Sequence, residues 1–293
     1  MASRRTRNLF LAPAVVYLLV MSIYPFVYSV YLSTTRKNLS RPYQKGFIGL
    51  DNYSTLLQHS LFQEAIENTL VITAASIAIE LLIGFFVARL FYAISDIPGS
   101  TVVRTVYILP MMLTPVVSGL LWSYILNPTL GIANYILREV GQEPYPWLAS
   151  VDTALKSIVM VNVWQWSPFL MLLILAGLMA IPSEQYEAAA IDGANFLQII
   201  RHIEIPSLRT VVLIGVIFRV IDNFRMFDLI YVTTRGGPAD ATEVMSMYAY
   251  RQMFQFFNAG YGSAAAVIIL IMAIIVTNIL YRFIREEESD VRI

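Results

Sequence analysis

Apolar residues gather into six long runs, at roughly 9–33, 69–92, 102–126, 157–181, 208–232 and 263–284. About 20 mainly apolar residues suffice for a helix to cross the hydrocarbon core of a bilayer. The pattern therefore predicts an all-α integral membrane protein with six transmembrane helices. Pro13, Pro25, Pro110, Pro115 and Pro168 lie inside these runs, where proline is tolerated if neighbouring helices satisfy the freed backbone groups. The first run is too long for a signal-peptide core and lacks a convincing small-x-small cleavage site, so it reads as a retained anchor. Arg4, Arg5 and Arg7 precede it. Basic residues before the first span favour the cytoplasmic side, and six crossings return the C-terminus to that side. The expected organisation is an anchor helix and external loop over 1–67, a membrane core over 68–284 with a cytoplasmic segment at 184–206, and a cytoplasmic tail over 285–293. The stretches 34–67, 127–156 and 233–262 are then external.

Composition agrees. Of 293 residues, 57% are hydrophobic and 14% charged, against about 45–50% and about 25% in soluble domains. Acidic and basic side chains balance, so no bulk charge points to nucleic acid. There is no cysteine, and His59 and His202 lie far apart in sequence, which argues against a disulfide framework and a metal site. No G-x-x-x-x-G-K-S/T phosphate loop occurs, nor H-E-x-x-H, nor G-x-S-x-G. The chain is expected to bind no ATP by the usual loop and to be no enzyme.

One polar stretch, EQYEAAAIDGANFLQIIRHIEIP at 184–206, stands between two apolar runs. Ser183 suits an N-cap, and Glu184 and Glu187 favour a helix start through its dipole. Ala188, Ala189 and Ala190 are strong helix formers. Gly193 after Asp192 suits a helix stop. Asn195 and Gln198 have the spacing of a capping box for a second helix. There Phe196, Ile199, Ile200 and Ile203 form one apolar face, and Pro206 is expected to end it. The segment reads as two short helices with an elbow at Gly193, or as a surface loop with helical turns.

These residues resemble the EAA motif in permease subunits of bacterial ABC importers: Glu-Ala-Ala, three residues, Gly, nine residues, then Ile-x-Leu-Pro. Glu187, Ala188, Ala189, Gly193, Ile203 and Pro206 fit; Glu204–Ile205 stands where Leu or a similar residue is usual before the proline. FIGLDNYSTLL (47–57), RTVYILPMMLTPVVSGLLW (104–122), ILNPTLGIANY (125–135), PWL (146–148) and FDLIYVTTRGGP (227–238) are similar to the carbohydrate-uptake branch, with its maltose-, trehalose- and glycerol-phosphate-type systems. The resemblance implies a type I importer transmembrane domain in a bacterial cytoplasmic membrane. It further implies a second permease subunit, two ATP-binding subunits that carry ATP and Mg, an extracytoplasmic solute-binding protein and a carbohydrate solute. In that family the segment is the coupling helix, which makes Glu187, Ala188, Ala189, Asp192 and Gly193 the residues that meet the ATPase.

Charges near the centre of a membrane helix cost about 2.5–3.5 kcal/mol each, so they face protein or a cavity. Asn162, Gln165, Trp166 and Phe169 fall at i, i+3, i+4 and i+7, and so do Arg219, Asp222, Asn223 and Met226. Each set forms one helix stripe. Hydrogen-bonding and aromatic groups on facing stripes suit a sugar, and the family places its translocation contacts on the two matching helices. The Arg219–Asp222 pair departs from the neutral groups of a maltose-type site. The plainer reading pairs Arg219 with Asp222 and Arg225 with Asp228 one turn on, and leaves the tryptophans to packing. Glu80 is expected to bond between helices or to a partner, and the small residues Gly260, Gly262 and Ser263 to allow close approach of another helix. Two other functions fit less well than the importer: a stand-alone secondary transporter leaves the 184–206 elbow unexplained and the sequence shows no inverted repeat, and a membrane enzyme needs a reactive cluster that the sequence lacks. A polyol or phosphorylated glycerol remains an alternative solute.

Overall fold

The computed structural model describes residues 4–290 apart from 42, 44 and 45, with side chains between 10 and 282. Among the described residues the structure is helical, with one isolated bridge between Thr35 and Phe47. The helices are α1 (Arg4–Ser33), α2 (Asp51–Gln58), α3 (Ser60–Ala93), α4 (Ser100–Met112), α5 (Pro115–Ile125), α6 (Ile132–Glu139), α7 (Val151–Met179), α8 (Ser183–Ile191), α9 (Phe196–Ile199), α10 (Ile205–Phe224), α11 (Asp228–Thr233), α12 (Met245–Tyr250) and α13 (Ala259–Asp290). Ile200–Glu204 and Arg251–Gln255 are π-helical turns.

By length and apolar composition α1, α3, α7 and α13 each suffice to cross a membrane, and the bent pair α4–α5 makes a fifth crossing if counted as one span. The expected third span is thus not straight. It turns by 98° between Met112 and Pro115. Thr114 caps the new helix by accepting from the Val117 N–H at 3.4 Å, and Pro115 at its start has no N–H to leave unpaired. The expected fifth span also differs: α10 stops at Phe224 instead of reaching 232, and α11 starts afresh at Asp228. The Met226 carbonyl in this break accepts from the Ser246 hydroxyl. Arg209, Arg219 and Asp222 keep α10 from being a simple apolar span.

The chain forms two compact units, one of residues up to Gln63 with Tyr248–Ile271, the other of Glu64–Met247 with the stretch from Met272 on. In the first, the Asn52 amide donates to the Ser33 and Thr35 carbonyls at 2.7 and 3.0 Å, pinning the turn after α1 to α2. The Gly260 N–H donates to the Lys37 carbonyl at 3.0 Å, and a Cβ at Gly260 would stand 2.1 Å from the Thr35 carbonyl oxygen. The close approach expected of Gly260 is therefore made within this chain.

In the second unit α7 is the central element. Met171, Ile174, Leu175 and Leu178 bury against Ala88 and Phe91 of α3 and Leu208 of α10. Gly177 admits Leu208, which a Cβ there would meet at 2.5 Å. Pro168 lies inside α7 without ending it, and the neighbouring Ser167 hydroxyl bonds to Tyr107 of α4 at 3.1 Å. Lipid is as apolar as these side chains, so close van der Waals packing and not escape from water holds the seam; it sets α3, α7 and α10 side by side and places the groups below.

Candidate functional site

α3, α7 and α10 each turn polar side chains to one another in the middle of the second unit. Arg219 is 1% exposed and Glu80 0%. The Arg219 guanidinium grips Glu80 with two N–H groups, Nε to Oε2 at 2.8 Å and Nη2 to Oε1 at 2.9 Å. Its Nη1 donates to Asp222 Oδ2 at 2.7 Å. Nη2 also reaches the side-chain oxygens of Asn162 at 3.3 Å and Asn223 at 3.2 Å. The Asn162 amide donates to Ser76 Oγ and to Asn223 Oδ1, both at 3.0 Å. The Arg219 guanidinium also lies 4.8 Å from the Trp166 ring centroid, a cation–π arrangement. A buried charge is stable only when paired and bonded on all sides, and this cluster meets that demand. Asn223 Nδ2 is buried without a partner among the described residues.

The two predicted stripes meet, but they divide. Asn162, Asn223 and Arg219 bond to one another, with Glu80 and Ser76 of α3 completing the set. Gln165 donates to the Leu113 carbonyl at 2.8 Å, satisfying a backbone group freed by the α4–α5 bend. Trp166, Asp222 and Met226, with Asn162 and Gln165, line a cavity of about 90 Å³. Phe169 meets Trp166 edge-on at 6.4 Å and is not part of the cavity lining. Asp222 is 43% exposed there. Arg225, expected beside Asp228, stands 4.0 Å from Asp222 instead, because the chain leaves the helix at Arg225 and the i,i+3 geometry toward Asp228 is lost.

The second site is the 184–206 segment. α8 and α9 form as predicted, and Gly193 between them has φ +70°, a conformation that costs little only for glycine. Asn195 and Gln198 make the full capping box. Ser183 begins α8 instead of capping it; Pro182 holds the cap position. Pro206 does not end the second helix. The π-turn at Ile200–Glu204, with the Ile205 N–H bonded to the Ile200 carbonyl, carries the chain directly into α10. The wider turn accommodates a proline that has no N–H and whose ring crowds the preceding turn. Phe196–Phe224 is one continuous helical rod.

Glu187, Ala188, Asp192 and Gly193 are exposed and Ala189 is buried. Ile191 is 87% exposed, and Leu197 and Phe196 are also open. Tyr186 stacks on Tyr92 at 6.3 Å. Burial, with the Glu204 carboxylate beside it, pushes the Tyr186 phenol up to about 12. Glu204, itself buried, pairs with Arg89 of α3. Sequence reasoning missed Glu80 as the partner of Arg219 and Arg89 as the partner of Glu204. Glu80 does bond between helices as expected, and its signal was a carboxylate in an otherwise apolar run, a charge that needs a partner inside the protein.

Residues 80–287 match the family described as binding-protein-dependent transport system inner membrane component. The chain belongs to that family. It is 36% identical over 269 residues to a probable ABC transporter permease protein, y4oQ, of Sinorhizobium fredii, covering 92% of this chain and 86% of that one. It is 34% identical to the trehalose transport system permease protein SugA of Mycobacterium tuberculosis, covering 92% and 85%. The trehalose/maltose transport system permease protein MalF of Thermococcus litoralis is also 34% identical, with 92% and 89% covered. The fold is similar to that of a chain in a bacterial alginate ABC transporter solved with an alginate pentasaccharide-bound periplasmic protein, with a TM-score of 0.83 at 22% identity over 95% of this chain and 93% of that one. An inner-membrane transport component of this family is not itself the ATPase of its system.

Proposed function

We propose that this chain is one membrane-spanning half of an ATP-driven carbohydrate importer. One observation carries the reading: the exposed elbow at Gly193 and the wall of the polar cavity are joined by the single rod Phe196–Phe224. A push on the elbow enters the rod through residues 194–195 and travels along it to Arg219, Asp222 and Asn223. The exposed residues Glu187, Ala188, Asp192 and Gly193, with Ala189 beneath them, form the face that enters a cleft on an ATP-binding subunit. That subunit supplies ATP and Mg. Two such subunits, a second permease and an extracytoplasmic solute-binding protein complete the assembly, in a bacterial cytoplasmic membrane with both termini inside.

In this reading Trp166 offers a stacking surface to the C–H face of a sugar, and Asp222 and Gln165 bond to its hydroxyls. Met226 closes the floor, and Phe169 sets the tilt of Trp166. Asn162, Asn223 and Arg219 hold the wall in place, with the free Asn223 amide as a further donor. Small-molecule sites usually enclose about 300–1,000 Å³. The cavity here is about 90 Å³, so the second permease supplies the opposite wall. The printed names of two relatives, trehalose and trehalose/maltose permeases, support a sugar. The test is uptake by the reconstituted assembly across sugars, polyols and phosphorylated solutes. One sugar should be carried in preference, and Trp166→Ala should raise the concentration for half-maximal uptake by roughly tenfold, as loss of a stacked aromatic does. Uptake of no carbohydrate, or the same half-maximal concentration in the variant, contradicts the reading.

A further inference from the structure

Arg89 stands four residues from the end of α3, on the helix that also carries Glu80. Its guanidinium does two things at once. It pairs with Glu204 in the π-turn, and it lies 4.0 Å from the centroid of the Phe196 ring at the start of α9. Glu204 is buried. Three residues after Arg89, Tyr92 of α3 stacks on Tyr186 of α8. So α3 holds the rod Phe196–Phe224 at two places along its own length: Glu80 on Arg219, and Arg89 on Glu204 and Phe196. Two ion pairs from one helix to another fix both the distance between them and their relative slide, which one pair alone does not.

We infer that Arg89 is a positioning residue for coupling: it clamps the elbow segment to α3, so that α3, α9, the π-turn and α10 move as one body. This rests on the reading of 184–206 as the ATPase-facing segment. The clamp gives the buried carboxylate of this turn its ion-pair partner, with the Tyr186 phenol also beside it. Glu204 stands at a place where the resembling motif has no fixed acidic residue. It also explains the π-turn. The extra residue in that turn sets the angular position of Glu204 on the rod, and with it the side that faces Arg89. With the clamp intact, a displacement of the elbow reaches Glu80 by a second route, through α3, as well as along the rod. Solvent-exposed ion pairs contribute little to geometry, but this one is screened from water on the Glu204 side and is capped by an aromatic ring.

The test uses the whole reconstituted importer and reads ATP hydrolysed per solute carried, with assembly checked by gel filtration. Replacing both members by apolar residues, Arg89→Met with Glu204→Met, removes the directional contact and leaves no unpaired charge. This pair should assemble yet spend roughly fivefold more ATP per solute, the low end of the usual coupling between linked sites. Arg89→Lys, which keeps the charge but loses the planar contact with Phe196, should fall between. Wild-type stoichiometry in the Met pair overturns the clamp. A measurement on an otherwise unaltered chain guards against failure to assemble. The sequence has no cysteine, so spin labels at Leu90→Cys and Arg201→Cys report the α3-to-rod distance alone. That distance should be the same without nucleotide and with trapped ATP. A change of about one helical turn, about 5 Å, overturns the single-body claim. Glu187→Lys separates the two levels: if it leaves coupling intact, the elbow reading itself fails; if it uncouples while the Met pair does not, only the clamp fails.

Discussion

The two ends of the Phe196–Phe224 rod are opposites. Near the C-terminal end, Arg219 is enclosed, and Glu80, Asp222, Asn162 and Asn223 of the same chain hold its guanidinium. Beside the N-terminal end, the elbow presents Ile191, Phe196 and Leu197 to the outside, and its charged groups Glu187 and Asp192 are open. The enclosed cluster holds Arg219 on all sides and leaves one donor, Asn223 Nδ2, without a partner among the described residues; an open apolar edge with charges around it has the character of a surface that meets another protein. The groups with the strongest chemistry, Arg219 and Glu80, are the ones least free to act on a solute. Trp166 and the half-exposed Asp222 reach the cavity, and the charged elbow residues Glu187 and Asp192 lie open.

The comparison breaks most sharply at Arg219. Arg219→Ala leaves Glu80 buried and unpaired, which costs about 3–5 kcal/mol. The assembled complex should be largely lost, as gel filtration in detergent will show. Removing Asp222 as well should not restore it, because Asp222 is half exposed and solvates by itself. Arg219→Leu with Glu80→Leu should restore most of the assembly. Recovery by the Asp222 double variant in place of the Glu80 one would mean that the frame is the local i,i+3 pair after all.

The elbow should respond on a smaller scale and through the backbone. At Gly193 a Cβ would meet nothing within 4 Å, so only its φ of +70° is at stake. Gly193→Ala should cost about 1–2 kcal/mol locally and Gly193→Asn much less, since asparagine visits this region. Assembly of the membrane domain should be normal in both, with solute-stimulated ATPase lowered only in the alanine variant. Equal loss in both variants would point to a side-chain clash with the partner and not to strain. Smaller still is Asn195→Ala, which removes one arm of the capping box at a cost of about 1 kcal/mol. It should raise amide exchange across α9 without changing the core.

What the sequence made legible was local. The apolar runs set the helices, Asn195 and Gln198 sit three residues apart, and Gly193 follows Asp192 just past an alanine-rich helix. All of these are read from neighbours along the chain, as helix periodicity and capping are. What escaped was non-local. Glu80 and Arg219 are 139 residues apart, and Arg89 and Glu204 are 115 apart. No spacing rule joins such positions; only the packing of α3 against α7 and α10 does. The fate of the prolines was also hidden. Pro115 starts a helix that turns by 98°, and Pro206 is absorbed by a π-turn. In both cases neighbouring backbone and side-chain groups decide whether the proline stops, bends or passes a helix.

The elbow is expected to dock on the ATP-binding subunit, and the Arg219 cluster is not. A cysteine-free chain makes this directly measurable. Single variants Glu187→Cys and Asp192→Cys, in inside-out vesicles, are exposed to an impermeant maleimide with and without the ATP-binding subunit. Both should label fully in the permease alone and be protected once that subunit is added, while Asn223→Cys should label equally little in both conditions. Labelling of Glu187→Cys and Asp192→Cys that does not change when the ATP-binding subunit is present would contradict the account.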